Sequence, residues 1–239
     1  MLITTNAIVL SKIRYKDNDL IVTCYTQEKG VLSVLLRGVL KSKKGGSRVA
    51  YYQLLSQVQM IINYNAKSSL HSVKETKPNY IYTSLHTNVL KSAIVMFLAE
   101  VLATTLKEEE SNKTLYSYLE NTLLWLDSQQ SYANFHLLFL LNLTKYLGFY
   151  PDVSLIQYPY FNLYEGEFQQ ESSDKYSISG ENLVLIKTLL GTNFDALSSV
   201  KISGKQRQQF LNTILLYFEL HLGNFKKPKS LQIFNQVFS

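Results

Sequence analysis

The sequence predicts an α+β protein in which a small five-stranded barrel over residues 1–77 precedes a helical bundle domain over residues 78–239. Three observations lead there. Five short segments rich in β-branched and apolar residues crowd into the first 77 positions. From position 80 onward the apolar residues recur at helical spacing. The charge balance changes at the same border: residues 1–77 carry 12 Lys/Arg against 4 Asp/Glu, net +8, and residues 78–239 carry 12 against 14, net −2.

Taken in order, residues 3–14 (ITTNAIVLSKIR), 19–26 (DLIVTCYT) and 31–37 (VLSVLLR) read as strands, separated by polar breaks at Lys16 to Asn18 and Glu28 to Gly30. In the second strand Leu20, Val22 and Cys24 share one face, which makes Cys24 a packing residue. Residues 53–63 (QLLSQVQMIIN) and 70–76 supply the fourth and fifth strands. Between the third and fourth lies RGVLKSKKGGSR, where Arg37, Lys41, Lys43, Lys44 and Arg48 are uninterrupted by any acid and three glycines loosen the backbone. Such a stretch suits a phosphate backbone, with an anionic membrane surface as the competing polyanion. Five short strands with a basic loop after the third fit a closed barrel of the oligonucleotide-binding (OB) type, although an SH3-like barrel would give almost the same string.

Lys77, Pro78 and Asn79 mark the change of regime. The spacing predicts a first helix from Tyr80 to Lys107, ending in a solvated Glu108 to Glu110. A second, capped by Ser111 or Asn112, runs to Asp127, and a third, apolar nearly all round, runs from Ser131 to about Leu147, where Gly148 and Pro151 stop it. Residues 150–178, cysteine-free and rich in aromatics, read as an irregular or hairpin-like insertion. Ser179 caps a helix to Leu190, Ser203 caps a long one to about Leu222, and the tail holds one or two more turns.

Catalytic and metal signatures do not emerge. His71, His86, His136 and His221 lack paired ligand spacing, one cysteine cannot build a thiolate site, Gly204-Lys205 lacks the upstream glycine of a nucleotide loop, and no serine is flanked as in a nucleophile elbow. No cofactor is expected, and the chain is not expected to be an enzyme. The N-terminal stretch MLITTNAIVL has no basic region or long apolar core, so a cytoplasmic location is expected, with no membrane partner.

The order of these parts resembles one bacterial family, the recombination mediator RecO. The resemblance rests on Ala7-Ile8-Val9-Leu10 followed by Tyr15, Asp19-Leu20-Ile21-Val22 and Gly30. It continues through Arg37-Gly38 with Lys41, Ser42 and Lys43, then Leu119 to Asp127 and Leu147-Gly148-Phe149 with Pro151. It closes with His221-Leu222-Gly223 and Lys229-Ser230-Leu231. It implies an OB fold, a helical domain, and a DNA repair protein that binds single- and double-stranded DNA and anneals complementary strands without ATP. It also implies cooperation with RecR, indirect help in loading RecA onto DNA coated by single-strand-binding protein, and association with the nucleoid. Many relatives carry a four-cysteine zinc motif after the Leu-Gly-Phe helix end. Residues 150–178 have no cysteine, so no zinc is expected, and Tyr160, Phe161, Leu163, Tyr164 and Phe168 would form an apolar mini-core in its place.

On that reading Arg14, Lys16, Arg37, Lys41, Lys43, Lys44 and Arg48 hold phosphates, and Tyr15, Tyr25, Tyr51 and Tyr52 are candidates to stack bases. Lys226, Lys227 and Lys229, with His221, are candidates for an acidic partner peptide such as the tail of single-strand-binding protein. The competing function class is a protein–protein adaptor that touches DNA incidentally.

Overall fold

Five strands close on themselves in the order β1-β2-β3-β5-β4: β1 (Leu2–Tyr15), β2 (Asp19–Thr26), β3 (Gly30–Leu36), β4 (Gln57–Asn63) and β5 (Leu70–Pro78). The structure is a computed structural model that describes residues 1–41, 49–106 and 111–238. Long β1 pairs with β4 through its first half and with β2 through its second, and the register slips between Val9 and Ser11, bending the strand around the barrel. Closure comes from three parallel pairings of β3 with β5. The alternation expected in β2 holds: Leu20, Val22 and Cys24 enter a core shared with Ala7, Val9, Val34, Val58, Met60 and Ile62. Burial pushes the Cys24 thiol up to about 12, which keeps it protonated and unreactive.

Two element starts differ from expectation. The fourth strand begins at Gln57, four residues late, because Ala50–Tyr52 form a 3-10 turn and Leu55 adopts φ 58° before the chain extends. The first helix, α1 (Val89–Thr105), begins nine residues after Tyr80. Here a tertiary contact outweighs helical propensity. Asp127, buried at the end of α2 (Lys113–Ser128), accepts from the backbone N–H groups of Thr83 (2.9 Å), Ser84 (2.7 Å) and Leu85 (3.0 Å), holding that segment as a loop. Asn88 then caps α1 by accepting from Lys91 N–H. Lys91, itself buried, donates from Nζ to Ser84 Oγ and the Asp127 carbonyl, each at 2.8 Å. Asn112 caps α2 through a 2.9 Å bond from Leu115 N–H. Glu108 to Glu110 lie outside the described residues.

The chain divides into two compact units, Met1–Ser128 with Pro228–Ser230, and Gln129–Lys227 with Leu231–Ser239. The second contains α3 (Phe135–Tyr146), α4 (Gly180–Leu190), α5 (Gly204–His221), α6 (Leu231–Val237) and a small sheet. As its sequence requires, α3 is buried on every side, from Phe135 to Leu141 and at Leu143 and Thr144. Ser203 caps α5 with a reciprocal bond to Gln206. The insertion is a three-stranded sheet, with β6 (Tyr160–Asn162) between β7 (Glu167–Gln169) and β8 (Ser177–Ile178). Phe161, Leu163 and Phe168 form the buried side of this sheet. Tyr164 stands 56% exposed and so is not part of a mini-core. Buried Asn162 organises the turn: its Oδ1 accepts from Tyr164 and Glu165 N–H, and its Nδ2 donates to Ser173 and Asp174.

Candidate nucleic-acid interface

One end of the barrel collects cations from two distant stretches. The β1–β2 connection turns at Lys16, which has φ 54°, so that Tyr15 faces Asp19 across the hairpin. Asp19 Oδ1 accepts from Gly38 N–H at 2.7 Å, and the Asn18 carbonyl accepts from Leu40 N–H at 3.0 Å. Gly38 makes this turn at φ 63°. These bonds tie the segment after β3 to the β1–β2 turn. Arg14, Lys16, Arg37 and Lys41 consequently stand exposed at one end of the barrel, with no ion pair to any described residue. Lys43, Lys44 and Arg48 lie outside the described residues. Tyr15 is 40% exposed beside them, with Lys16 Nζ 5.5 Å from its ring centroid.

Two of the four tyrosines cannot stack on bases. Tyr25 is wholly enclosed, stacks against Tyr116 and donates its hydroxyl to the Asn112 carbonyl. Tyr52 is a barrel core residue whose hydroxyl bonds to Thr76. A closed barrel buries residues from both faces of a strand wherever a helix or loop covers the outside, and strand parity alone does not reveal that cover. Tyr51 packs partly against the core.

The structure sets beside Arg37 residues that sequence reading passed over. Where β3, β4 and β5 meet, Leu35, Asn63, Asn65, Ser68, Leu70, His71 and Ser72 line an open groove of about 310 Å³ together with Arg37. His71 is buried, its ring stacked on Tyr64 with centroids 5.1 Å apart, and Lys29 Nζ lies 5.1 Å from the Tyr64 ring centroid. Desolvation lowers the His71 pKa. No local signal marks these residues, since short polar side chains at strand ends and turns are ordinary there.

In the second unit, His221 is committed to packing. Its ring lies parallel to Phe149, centroids 5.1 Å apart, and Nε2 bonds to the Leu163 carbonyl at 3.0 Å, so the ring is held within the fold. Lys226 and Lys227 are exposed, and Lys227 pairs with Glu219 at 3.3 Å; Lys229, which belongs to the first unit, is exposed as well. His136 is fully enclosed between apolar side chains, including Phe234, and burial holds its pKa down at about 3. Among the described residues, no group of three or more His, Cys, Asp or Glu side chains is placed to hold a metal ion. No described helix is long and apolar enough to cross a membrane.

Comparison with known proteins agrees over the whole chain. The family described as "Recombination protein O N terminal" matches residues 1–82, and "Recombination protein O C terminal" matches residues 86–232. A protein named "DNA repair protein RecO" from Christiangramia forsetii is 48% identical over 238 residues, covering 100% of both chains. Proteins of the same name from Flavobacterium johnsoniae and Bacteroides fragilis are 40% and 33% identical, again over 100% of each chain. With both halves matched in order and the five-stranded barrel in place, the chain belongs to the RecO family of DNA repair proteins.

Proposed function

We propose that this chain is a recombination mediator that binds single- and double-stranded DNA through its barrel, residues 1–77, and engages protein partners through residues 78–239. The observation that carries the reading is the convergence of Arg14, Lys16, Arg37 and Lys41 at one barrel end through the Asp19–Gly38 hydrogen bond, in a family named for DNA repair. With Lys43, Lys44 and Arg48 of the same loop, seven cations are available to phosphates, and Tyr15 and Tyr51 to bases. Contacts to the backbone leave base edges free. Neutralising the repulsion between two strands then promotes annealing without ATP and without any covalent step, so no catalytic residue or cofactor is required. RecR, single-strand-binding protein and, through them, RecA are the proposed partners, in the cytoplasm at the nucleoid. Lys226, Lys227 and Lys229 are offered to an acidic peptide.

Fluorescence anisotropy of labelled single-stranded DNA across a salt series, beside an ATP-free annealing assay, tests this. If all seven cations engage, log K should fall against log salt with a slope of about −5 on single strands. Absence of binding at low salt would overturn the mechanism. Charge reversal at Lys43 and Lys44 separates the adaptor reading: that reading requires DNA binding to survive and partner binding to fail.

A further inference from the structure

Two acidic residues, Asp17 and Asp19, stand in and beside the β1–β2 turn that carries Lys16, and neither forms an ion pair with a described residue. An acid near a cationic surface is expected to weaken its pull on phosphates. Asp17 is fully exposed and fits that expectation. Asp19 is partly buried and departs from it. Its Oδ1 accepts the Gly38 N–H at 2.7 Å, a short charge-assisted bond to the main chain and not to any of the cations nearby.

That bond holds a point where the chain is free to turn. Gly38 sits at φ 63°, a conformation that glycine enters and leaves at little cost. Beyond it, the Leu40 N–H donates to the Asn18 carbonyl at 3.0 Å, the Lys41 N–H returns to the Gly38 carbonyl at 3.1 Å, and Val39 enters the barrel core. Arg37 and Lys41 therefore flank a segment, residues 38–40, that is fastened to the β1–β2 turn. Arg14 and Lys16 belong to the hairpin to which it is fastened.

We infer that Asp19 is a positioning residue for DNA: by holding the Gly38 N–H, its carboxylate sets Arg37 and Lys41 against Arg14 and Lys16 before a strand arrives. The inference rests on the DNA-binding reading above and deepens it. Cations ordered in advance lose less conformational entropy on binding, so this acid strengthens the hold on a polyanion in spite of its charge. Two acids two residues apart thus act with opposite sign. Asp17 opposes phosphate through its charge alone, whereas Asp19 assists through the bond it makes.

The test uses the full chain and labelled oligothymidylate, with anisotropy at one low salt concentration for the wild type, Asp19→Ala, Asp19→Asn and Asp17→Ala. Asp19→Ala should bind about fivefold more weakly, the effect of ordering one more long side chain on binding, and its Gly38 amide hydrogen should exchange faster. Asp19→Asn keeps an acceptor oxygen and loses the charge, so it should bind at least as tightly as the wild type. Asp17→Ala should bind more tightly, which gives the sign of the charge effect by itself. A merely structural aspartate would lower the unfolding midpoint without separating the alanine and asparagine variants in affinity. Should Asp19→Ala fail to fold, Gly38→Ala perturbs the same turn: its Cβ would meet nothing within 4 Å, so strain at positive φ is the only change, and binding should again weaken. Tighter binding by Asp19→Ala, as by Asp17→Ala, would overturn the positioning role and leave DNA binding intact, and so would equal affinities of the alanine and asparagine variants. Failure of the wild type to bind oligothymidylate at low salt would overturn both.

Discussion

At one end of the barrel, Arg14, Lys16, Arg37 and Lys41 stand exposed with no ion pair to any described residue, whereas the helical parts draw two cations, Lys91 and Arg207, inward and hydrogen-bond them. Arg207, half-buried, donates from Nε to Asn134 Oδ1 at 3.0 Å and from a terminal nitrogen to the Ile202 carbonyl at 3.1 Å. Lys91 and Asp127 are buried together in the helical part of the first unit. Arg37 and Arg207 carry the same guanidinium, and surroundings alone leave one in solvent and tie the other into the fold. A cation left in water contributes little to stability and remains available to a polyanion, while a buried one must be fully hydrogen-bonded to be tolerated.

The comparison breaks first at Asp127. Replacing it with alanine strips three backbone N–H groups of their acceptor and leaves buried Lys91 without its counter-charge, so stability should fall by about 3–5 kcal/mol in urea unfolding. An unchanged midpoint would show that the network is dispensable.

The same carboxylate sets an acid limit. Burial by itself would raise the pKa of Asp127, but the bonds from Thr83, Ser84 and Leu85 outweigh it and hold the group below the ordinary carboxylate value. Because the folded pKa lies below the unfolded value of about 3.9, the stabilisation is present above that pH and is lost as pH falls through the folded value. The wild type should therefore lose stability below about pH 4 more steeply than Asp127→Asn, which cannot titrate. Parallel acid profiles would refute the assignment.

Exchanging the two arginines sharpens the contrast at a smaller scale. Arg207→Ala should cost about 1–3 kcal/mol of stability and leave DNA affinity unchanged, since it removes hydrogen bonds from a charged group inside the second unit. Arg37→Ala should leave the unfolding midpoint in place and reduce the salt slope of DNA binding by about 1. Equal effects of both on either readout would contradict the division of roles.

The smallest effect is expected at Gly166. It holds φ 76°, and a Cβ there would sit 2.9 Å from the Tyr217 hydroxyl, which donates to the Phe149 carbonyl. Gly166→Ala should cost about 1–2 kcal/mol, through backbone strain and a displaced hydroxyl. Gly148→Ala, where φ is 85° but nothing lies within 4 Å, should cost less. Thermal unfolding of the two variants orders them.

Much of this protein was legible in the chain itself. Strand parity placed Leu20, Val22 and Cys24 in the barrel, the unbroken apolar run from Phe135 placed α3 at the centre of its unit, and Ser203 with Gln206 marked the start of α5. These are local properties, decided within a turn of helix or a few residues of strand, so a single sequence carries them. The cationic loop was equally plain, because charge needs no folding to be counted. What the tertiary structure alone decided are meetings between distant residues. Asp127 holds residues 83–85 out of a helix their spacing suggested, Tyr25 disappears beneath Tyr116, and Asp19 brings the turn at Gly38 beside Lys16. The groove belongs to the same class, since Leu35, Asn63 and Ser72 become neighbours only when β3 and β4 pair on either side of β5. Periodicity reports which face of an element is apolar. What covers that face, and which donors remain without an acceptor once it is covered, is settled only when the barrel closes.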